Sequence, residues 1–207
     1  SSAASDVYKR QTMPVADYPE LPGLPQVSGT VEGSEFSRAV SQVAVAASKD
    51  DTLPILTGVR MEIEGNTITL LATDRYRLAM RELTWNPADE NISTAALVKA
   101  KTMTEVAKTL GGSGELSIAL SDSHELVGFE SANRRTTSLL VDGEYPKVRA
   151  LFPENTPIHA IVRTSDLLEA VRRVSLVAER NTPVRLAFTQ GQVTLDAGTG
   201  EDAQASE

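Results

Sequence analysis

The chain repeats itself. Residues 35–47, Glu35-Phe36-Ser37-Arg38-Ala39-Val40-Ser41-Gln42-Val43-Ala44-Val45-Ala46-Ala47, return in pattern 131 positions later, where Ala170-Val171, Val174, Leu176 and Ala178 stand for Ala39-Val40, Val43, Val45 and Ala47. The text that follows returns at a slightly shorter offset: Val59-Arg60-Met61-Glu62-Ile63 against Val184-Arg185-Leu186-Ala187-Phe188, then Gly65-Asn66-Thr67-Ile68-Thr69-Leu70 against Gly191-Gln192-Val193-Thr194-Leu195. Upstream, Asp17-Tyr18-Pro19 mirrors Glu144-Tyr145-Pro146. A period this long marks a duplicated domain, not a solenoid. The second copy halts at Gly198-Thr199-Gly200-Glu201-Asp202-Ala203 while the first is still running through strands. The expectation is therefore the tail of one domain, one whole domain and the start of a third, cut short at both ends.

Local patterns give the content of one copy. Pro14, Pro19, Pro22 and Pro25 make residues 12–28 an extended linker, because proline fixes its own φ and biases its predecessor away from helix. Residues 29–33 read as a strand, and residues 35–48 as an amphipathic helix of about 21 Å, with Ser34 as N-cap and Phe36, Val40, Val43, Ala44 and Ala47 as its apolar stripe. Strands follow at 58–64, 67–73 and 76–85, the first two joined by a Gly65-Asn66 turn. A strand at 95–99 leads into a second helix at 100–110, stopped by Gly111-Gly112. Further strands are expected at 115–120, 125–131 and 134–141. After a second proline-bearing connector, residues 160–163 read as a strand and 166–180 as a helix capped by Ser165. Within the complete domain, strand–helix at 31–47 and strand–helix at 97–110 look related. Helices alternating with runs of antiparallel strands define an α+β fold, with helices on one face of the sheets.

Composition narrows the function. Net charge is −8, which argues against indiscriminate binding to DNA or anionic membrane but leaves room for a local basic face. With no cysteine, neither a disulfide framework nor a thiolate metal site is possible. His124 and His159 are the only histidines and have no metal-ligand spacing. There is no Gly-x-Ser-x-Gly elbow and no phosphate loop of the Gly-x-x-x-x-Gly-Lys type. No catalytic residue, metal site or cofactor is expected. Asp74 beside Arg77 is the best enzymatic alternative, and a strand-end turn is its plain structural reading. No apolar run approaches a membrane span of about 20 residues. Residues 1–11 include Asp6-Val7-Tyr8-Lys9-Arg10-Gln11, which resembles one reading frame of a transposon-end adapter, and they are set aside from the fold reading.

Three strings together point to a family. Asp50-Asp51-Thr52-Leu53-Pro54-Ile55-Leu56-Thr57-Gly58-Val59, Ala72-Thr73-Asp74-Arg75-Tyr76-Arg77-Leu78-Ala79 and Leu140-Val141-Asp142-Gly143-Glu144-Tyr145-Pro146, with Val98-Lys99-Ala100-Lys101 between them, resemble the bacterial DNA polymerase III β subunit, the sliding clamp. Thr12-Met13-Pro14-Val15-Ala16-Asp17-Tyr18-Pro19 is close to actinobacterial members. The resemblance runs in order over residues 12–200. It implies DNA-clamp-like domains: the end of a first domain and linker at 12–28, a middle domain at 29–153 and a truncated third domain at 154–207.

It also implies a cytoplasmic, non-catalytic processivity factor with no membrane association. Such a ring encircles double-stranded DNA without reading sequence. It tethers the replicative polymerase, the clamp loader and repair polymerases through short peptide motifs. The full-length protein would be a homodimer and this piece a monomer. The second-domain side of the peptide pocket carries over onto Leu56, Thr73, Tyr76, Arg77, Leu78, Pro146 and Leu151. Arg75 departs from the glycine of some members, and Ala150 from an arginine. Lys101 falls on a DNA-facing position of the family. Helix faces add Arg38, Lys49, Lys99, Lys108, Arg172 and Arg173, diluted by Glu35, Glu105 and Glu169. A clamp-like paralogue or a peptide-binding module outside replication is the nearest rival reading.

Overall fold

The computed structural model describes residues 25–123, 125–178 and 182–197. His124, Arg180 and the Asp17-Tyr18-Pro19 copy lie outside the described residues. Two compact units are present, the first ending at Val148 and the second beginning at Arg149.

The first unit is built from two similar runs of elements. One is β1 (Val27–Glu32), α1 (Gly33–Ala44), β2 (Gly58–Glu64), β3 (Thr67–Thr73) and β4 (Leu78–Thr84); a two-residue strand β5 (Asn86–Pro87) follows it. The other is β6 (Ser93–Lys99), α2 (Ala100–Leu110), β7 (Glu115–Leu120), β8 (Leu126–Ser131) and β9 (Arg134–Leu139). The runs interlock. Each gives its first strand to the other's sheet, so the strand orders are β5-β1-β7-β8-β9 and β4-β3-β2-β6. Every pairing is antiparallel. The relation read between residues 31–47 and 97–110 is thus a swap that ties the two halves into one body.

Both helices line a single aliphatic core shared by the two sheets. In α1, Phe36, Ala39, Val40 and Val43 recur at helical spacing and are buried; in α2, Met103, Val106, Ala107 and Leu110 do the same. Across the halves, the Phe36 and Phe129 rings meet at 5.9 Å and 45°. The helices run antiparallel: the Gly33 N–H, at the start of α1, donates to the Gly114 carbonyl just past the end of α2 at 2.7 Å. Their closeness depends on small residues. Ser37 Oγ donates to the Ala107 carbonyl at 3.2 Å, and a Cβ at Gly111 would stand 2.6 Å from the Ser37 Cβ.

Two helix boundaries differ from the expectation. Glu32, not Ser34, caps α1, because its carboxylate accepts the Glu35 N–H at 2.7 Å and the Ser34 hydroxyl at 2.6 Å. The helix stops at Ala44 and tightens into turns, with Ala46 N–H donating to Val43 and Ala47 N–H to Ala44.

The second unit holds α3 (Thr164–Val177) and a hairpin of β10 (Arg185–Thr189) and β11 (Gln192–Asp196). Ala170 and Val174 pack with Leu195 and Ala197. The helix begins at Thr164 after Arg163, with no side-chain cap, so Ser165 is not its cap. Residues 160–163 do not form a strand. Ala160-Ile161-Val162 has β propensity, but a strand needs a ladder partner, and among the described residues β10 and β11 pair only with each other.

Candidate functional site

One end of the four-stranded sheet collects most of the candidate residues. There β2 starts, β3 ends, β4 starts and β6 ends, with Gly58 opposite Lys99 and Thr73 opposite Leu78. A 3₁₀ turn over Pro54–Thr57 feeds into β2 and buries Leu56. From the other side comes the segment after β9. Its Val141 N–H donates to the Leu97 carbonyl at 2.7 Å. Gly143 then passes Ile55 so closely, at a φ of +130°, that a Cβ would lie 2.7 Å from the Ile55 Cδ1. Two residues on, Tyr145 is buried, its hydroxyl near the Thr73 main chain but without a hydrogen-bond partner. Burial raises the pKa of that phenol.

Between β3 and β4 the chain turns through residues 74–77, held by two side chains. Thr73 Oγ1 donates to the Arg77 carbonyl at 2.8 Å and accepts the Arg75 N–H at 3.2 Å. Asp74 Oδ1 accepts the N–H groups of Tyr76 and Arg77, each at 3.0 Å, and Oδ2 pairs with Arg77 Nε at 3.0 Å. The Arg77 N–H is the main reason the Asp74 carboxyl sits below the ordinary carboxylate range, with partial burial opposing it. The geometry leaves Arg75 at a φ of +79° and Tyr76 92% exposed. Both Asp74 oxygens are engaged in shaping this turn, which is the structural role rather than the enzymatic one. Strand β4 accordingly starts at Leu78, two residues later than its alternation suggested.

Of the peptide-pocket set, Leu56, Thr73, Arg77 and Leu78 lie at this end of the sheet, with Tyr76 projecting beside them. Pro146 is exposed and follows the buried Tyr145. Leu151 belongs to the second unit, where it is exposed in a short 3₁₀ turn over Arg149–Leu151. Of the DNA-facing set, Lys49, Lys99 and Lys101 gather around a cavity of about 800 Å³ between the end of α1, the 3₁₀ turn and the start of α2. Arg77 lines the same cavity, so a residue assigned to peptide binding stands among those assigned to DNA. Arg38 is exposed on α1, and Lys101 and Lys108 are exposed on α2. Arg172 and Arg173 are exposed on α3 in the second unit, the latter 3.5 Å from Glu169. Sequence reasoning missed Tyr145 as a support of the site, although the repeated Tyr-Pro pair was in plain view.

Interlocked strand–helix–three-strand runs, with helices lining one core between antiparallel sheets and a second such unit begun downstream, define a DNA-clamp-like protein. The chain belongs to the DNA polymerase III beta subunit family: residues 30–147 match the central domain and residues 149–207 the C-terminal domain. It is 66% identical over 203 residues to the beta sliding clamp of Micrococcus luteus, covering 98% of this chain and 66% of that one. To the beta sliding clamp homolog GriR of Streptomyces muensis it is 45% identical over 202 residues, covering 98% of this chain and 54% of that one. The crystal structure of a Pseudomonas aeruginosa DnaN sliding clamp bound to griselimycin superposes with a TM-score of 0.78 at 25% identity, covering 94% of this chain and 53% of that one. The chain thus spans about half to two thirds of the length of these proteins. Among the described residues no helix is long and apolar enough to cross a membrane.

Proposed function

We propose that this chain supplies the central and C-terminal domains of a replicative sliding clamp, a non-catalytic subunit that acts in the cytoplasm. The observation that carries this is the unbroken match of both domains, in order, at 66% identity to a beta sliding clamp. The mechanism is topological. A closed homodimeric ring holds double-stranded DNA by enclosure, and the partner polymerase is kept at high effective concentration rather than by tight contact with DNA. Exposed Arg38, Lys101 and Lys108 on the paired helices, with Arg172 and Arg173 on α3, face phosphates without reading bases. Glu35 and Glu105, on the same helices, keep that attraction weak enough for sliding. At the end of the four-stranded sheet, Leu56 and Leu78 form the greasy floor of a site for short peptides of the replicative polymerase, clamp loader and repair polymerases. Pro146 extends that floor. Thr73, Tyr76 and Arg77 are its polar rim. The griselimycin-bound Pseudomonas clamp supports a ligand site on this fold.

The test is retention of the full-length gene product, loaded by its clamp loader, on nicked circular DNA and on the same DNA linearised. A ring stays on the circle and runs off the ends. Equal loss from both would refute enclosure. The 66% identity to the Micrococcus luteus beta sliding clamp is the ground for ranking the replicative role over a paralogue's. Failure of the full-length gene to replace a depleted replicative clamp would reverse that ranking.

A further inference from the structure

The outer face of the four-stranded sheet carries a second buried layer. On β3, Ile68, Leu70 and Ala72 enter the core shared by the two sheets, while Leu71 alternates to the other face and is nevertheless 1% exposed. Leu97 on β6 and Thr73 at the end of β3 share that outer face and are buried as well. The segment after β9 is what crosses it. It begins at β6, where the Val141 N–H donates to the Leu97 carbonyl, and reaches β3, where the Tyr145 hydroxyl lies by the Thr73 main chain. It therefore passes over β2, which stands between those strands. On the way Gly143 presses on Ile55, the chain neighbour of Leu56. Beyond Tyr145 the Val148 N–H closes a turn onto the Pro146 carbonyl at 2.8 Å, and Val148 is buried.

Segment 141–148 thus braces the sheet end from β6, from the 3₁₀ turn and from β3, and Tyr145 is its aromatic centre. The ring is 4% exposed, and the hydroxyl is shut away from solvent with no hydrogen-bond partner. A hydroxyl buried without a partner costs stability, so the apolar body of the ring is what the site uses. We infer that the Tyr145 ring is a positioning residue of the peptide site: it fixes the Thr73 end of β3, and through that pairing Leu78 on β4, and seats Pro146, without itself touching a peptide. This rests on the peptide-site reading above.

The test measures fluorescence anisotropy of a labelled polymerase-tail peptide with the full-length gene product, beside thermal midpoints. Tyr145→Leu keeps the position apolar but lacks the breadth of the ring. It should weaken the peptide about tenfold, the size of one displaced floor leucine. Tyr145→Phe should bind within about twofold of the unaltered protein and melt about 2–4 °C higher, because only the unpartnered hydroxyl is lost. Val43→Ala, in the core between the sheets and away from this face, should lower the midpoint and leave affinity unchanged. Tyr145→Met takes the place of the leucine variant if that one does not fold. A leucine or methionine variant that binds as tightly as the unaltered protein would overturn the inference and leave the peptide site standing. So would an equal loss of affinity in Val43→Ala, which would make the effect one of general stability. A phenylalanine variant that binds weakly or melts lower would show that the hydroxyl has a partner, and would overturn the assignment to the ring. An unaltered protein that binds no peptide would remove the peptide-site reading itself, and this inference with it.

Discussion

Truncating Phe36 to alanine tests whether the two halves of the first unit are one cooperative body. Phe36 lies on α1 of the first run and is fully buried against Phe129 on β8 of the second. Phe→Ala at such a site costs about 3–5 kcal/mol, as lost transfer energy plus a cavity. About 0.5–1.5 kcal/mol of that belongs to the ring pair itself. Against a total domain stability of roughly 5–15 kcal/mol, this is a large fraction. The reporter is already in place: Trp85 is the sole tryptophan, it is buried, and its indole N–H donates to the Gly65 carbonyl at 2.8 Å. It sits just after β4, in the first run, so its fluorescence in a urea titration reads that half directly. Because each half lends its first strand to the other's sheet, Phe129→Ala must shift the Trp85 transition as far as Phe36→Ala does. The double variant should fall short of additivity by about 0.5–1.5 kcal/mol, the pair's coupling. If Phe129→Ala moves a circular-dichroism transition but leaves the Trp85 transition in place, the halves unfold separately and the interlocking argument is wrong.

Leu78 is half-buried at the start of β4, and Leu78→Ala should weaken a polymerase-tail peptide about tenfold for the two or so buried CH₂ equivalents lost; unchanged affinity in calorimetry would take Leu78 out of the floor. Lys101→Glu in the full-length protein should shorten residence on nicked circular DNA, more at low salt than at high, and equal residence would remove Lys101 from the DNA-facing set. The carboxyls of Asp74, Asp50 and Glu32 all titrate below their ordinary range in the folded chain, held chiefly by the Arg77 N–H, the Thr52 hydroxyl and the Ser34 hydroxyl respectively. A folded-state pKa below the unfolded value means stability that is present above the unfolded carboxylate range of about 4 and lost as pH falls through the folded values. Thermal midpoints read by Trp85 should therefore be flat from about pH 5 to 7 and drop below about pH 4, less steeply in Asp74→Asn; identical acid sensitivity in both proteins would dismiss Asp74 as a contributor.

Most of the fold was legible because punctuation and periodicity agreed. Strands 58–64 and 67–73 and the helix at 100–110 were read to the residue. Gly65-Asn66 and Gly111-Gly112 set their ends, while the apolar alternation and the 3.6-residue stripe filled their interiors. Errors arose where competing local chemistry was equally good. Ser34 is an excellent N-cap by type, yet a carboxylate two residues earlier reached the Glu35 N–H first. Residues 160–163 carry strand-like side chains, but propensity supplies no ladder partner. Likewise, Tyr76 and Arg77 fit the alternation of β4. The Thr73 and Asp74 side chains bond the following backbone and turn it instead.

The site was legible as residue types but not as an assembly. Lys49 follows the end of α1, Arg75 and Arg77 come from the turn after β3, and Lys99 and Lys101 flank the start of α2. In sequence Arg77 falls in the peptide set, Lys49, Lys99 and Lys101 fall in the DNA-facing set, and Arg75 falls in neither. The register Gly58 opposite Lys99 and Thr73 opposite Leu78 converts them into one neighbourhood, because every segment they belong to starts or stops at the same sheet end. That convergence follows from the swap: lending β6 to the first run's sheet carries the start of α2 to the cavity that Arg77 lines. A fold in which each half kept its own first strand would separate Lys101 from Arg77. On the proposed assignments, peptide and DNA would share one wall, and a substitution at Lys49 or Arg77, which line the same cavity, should register in both the peptide titration and the DNA-residence assay.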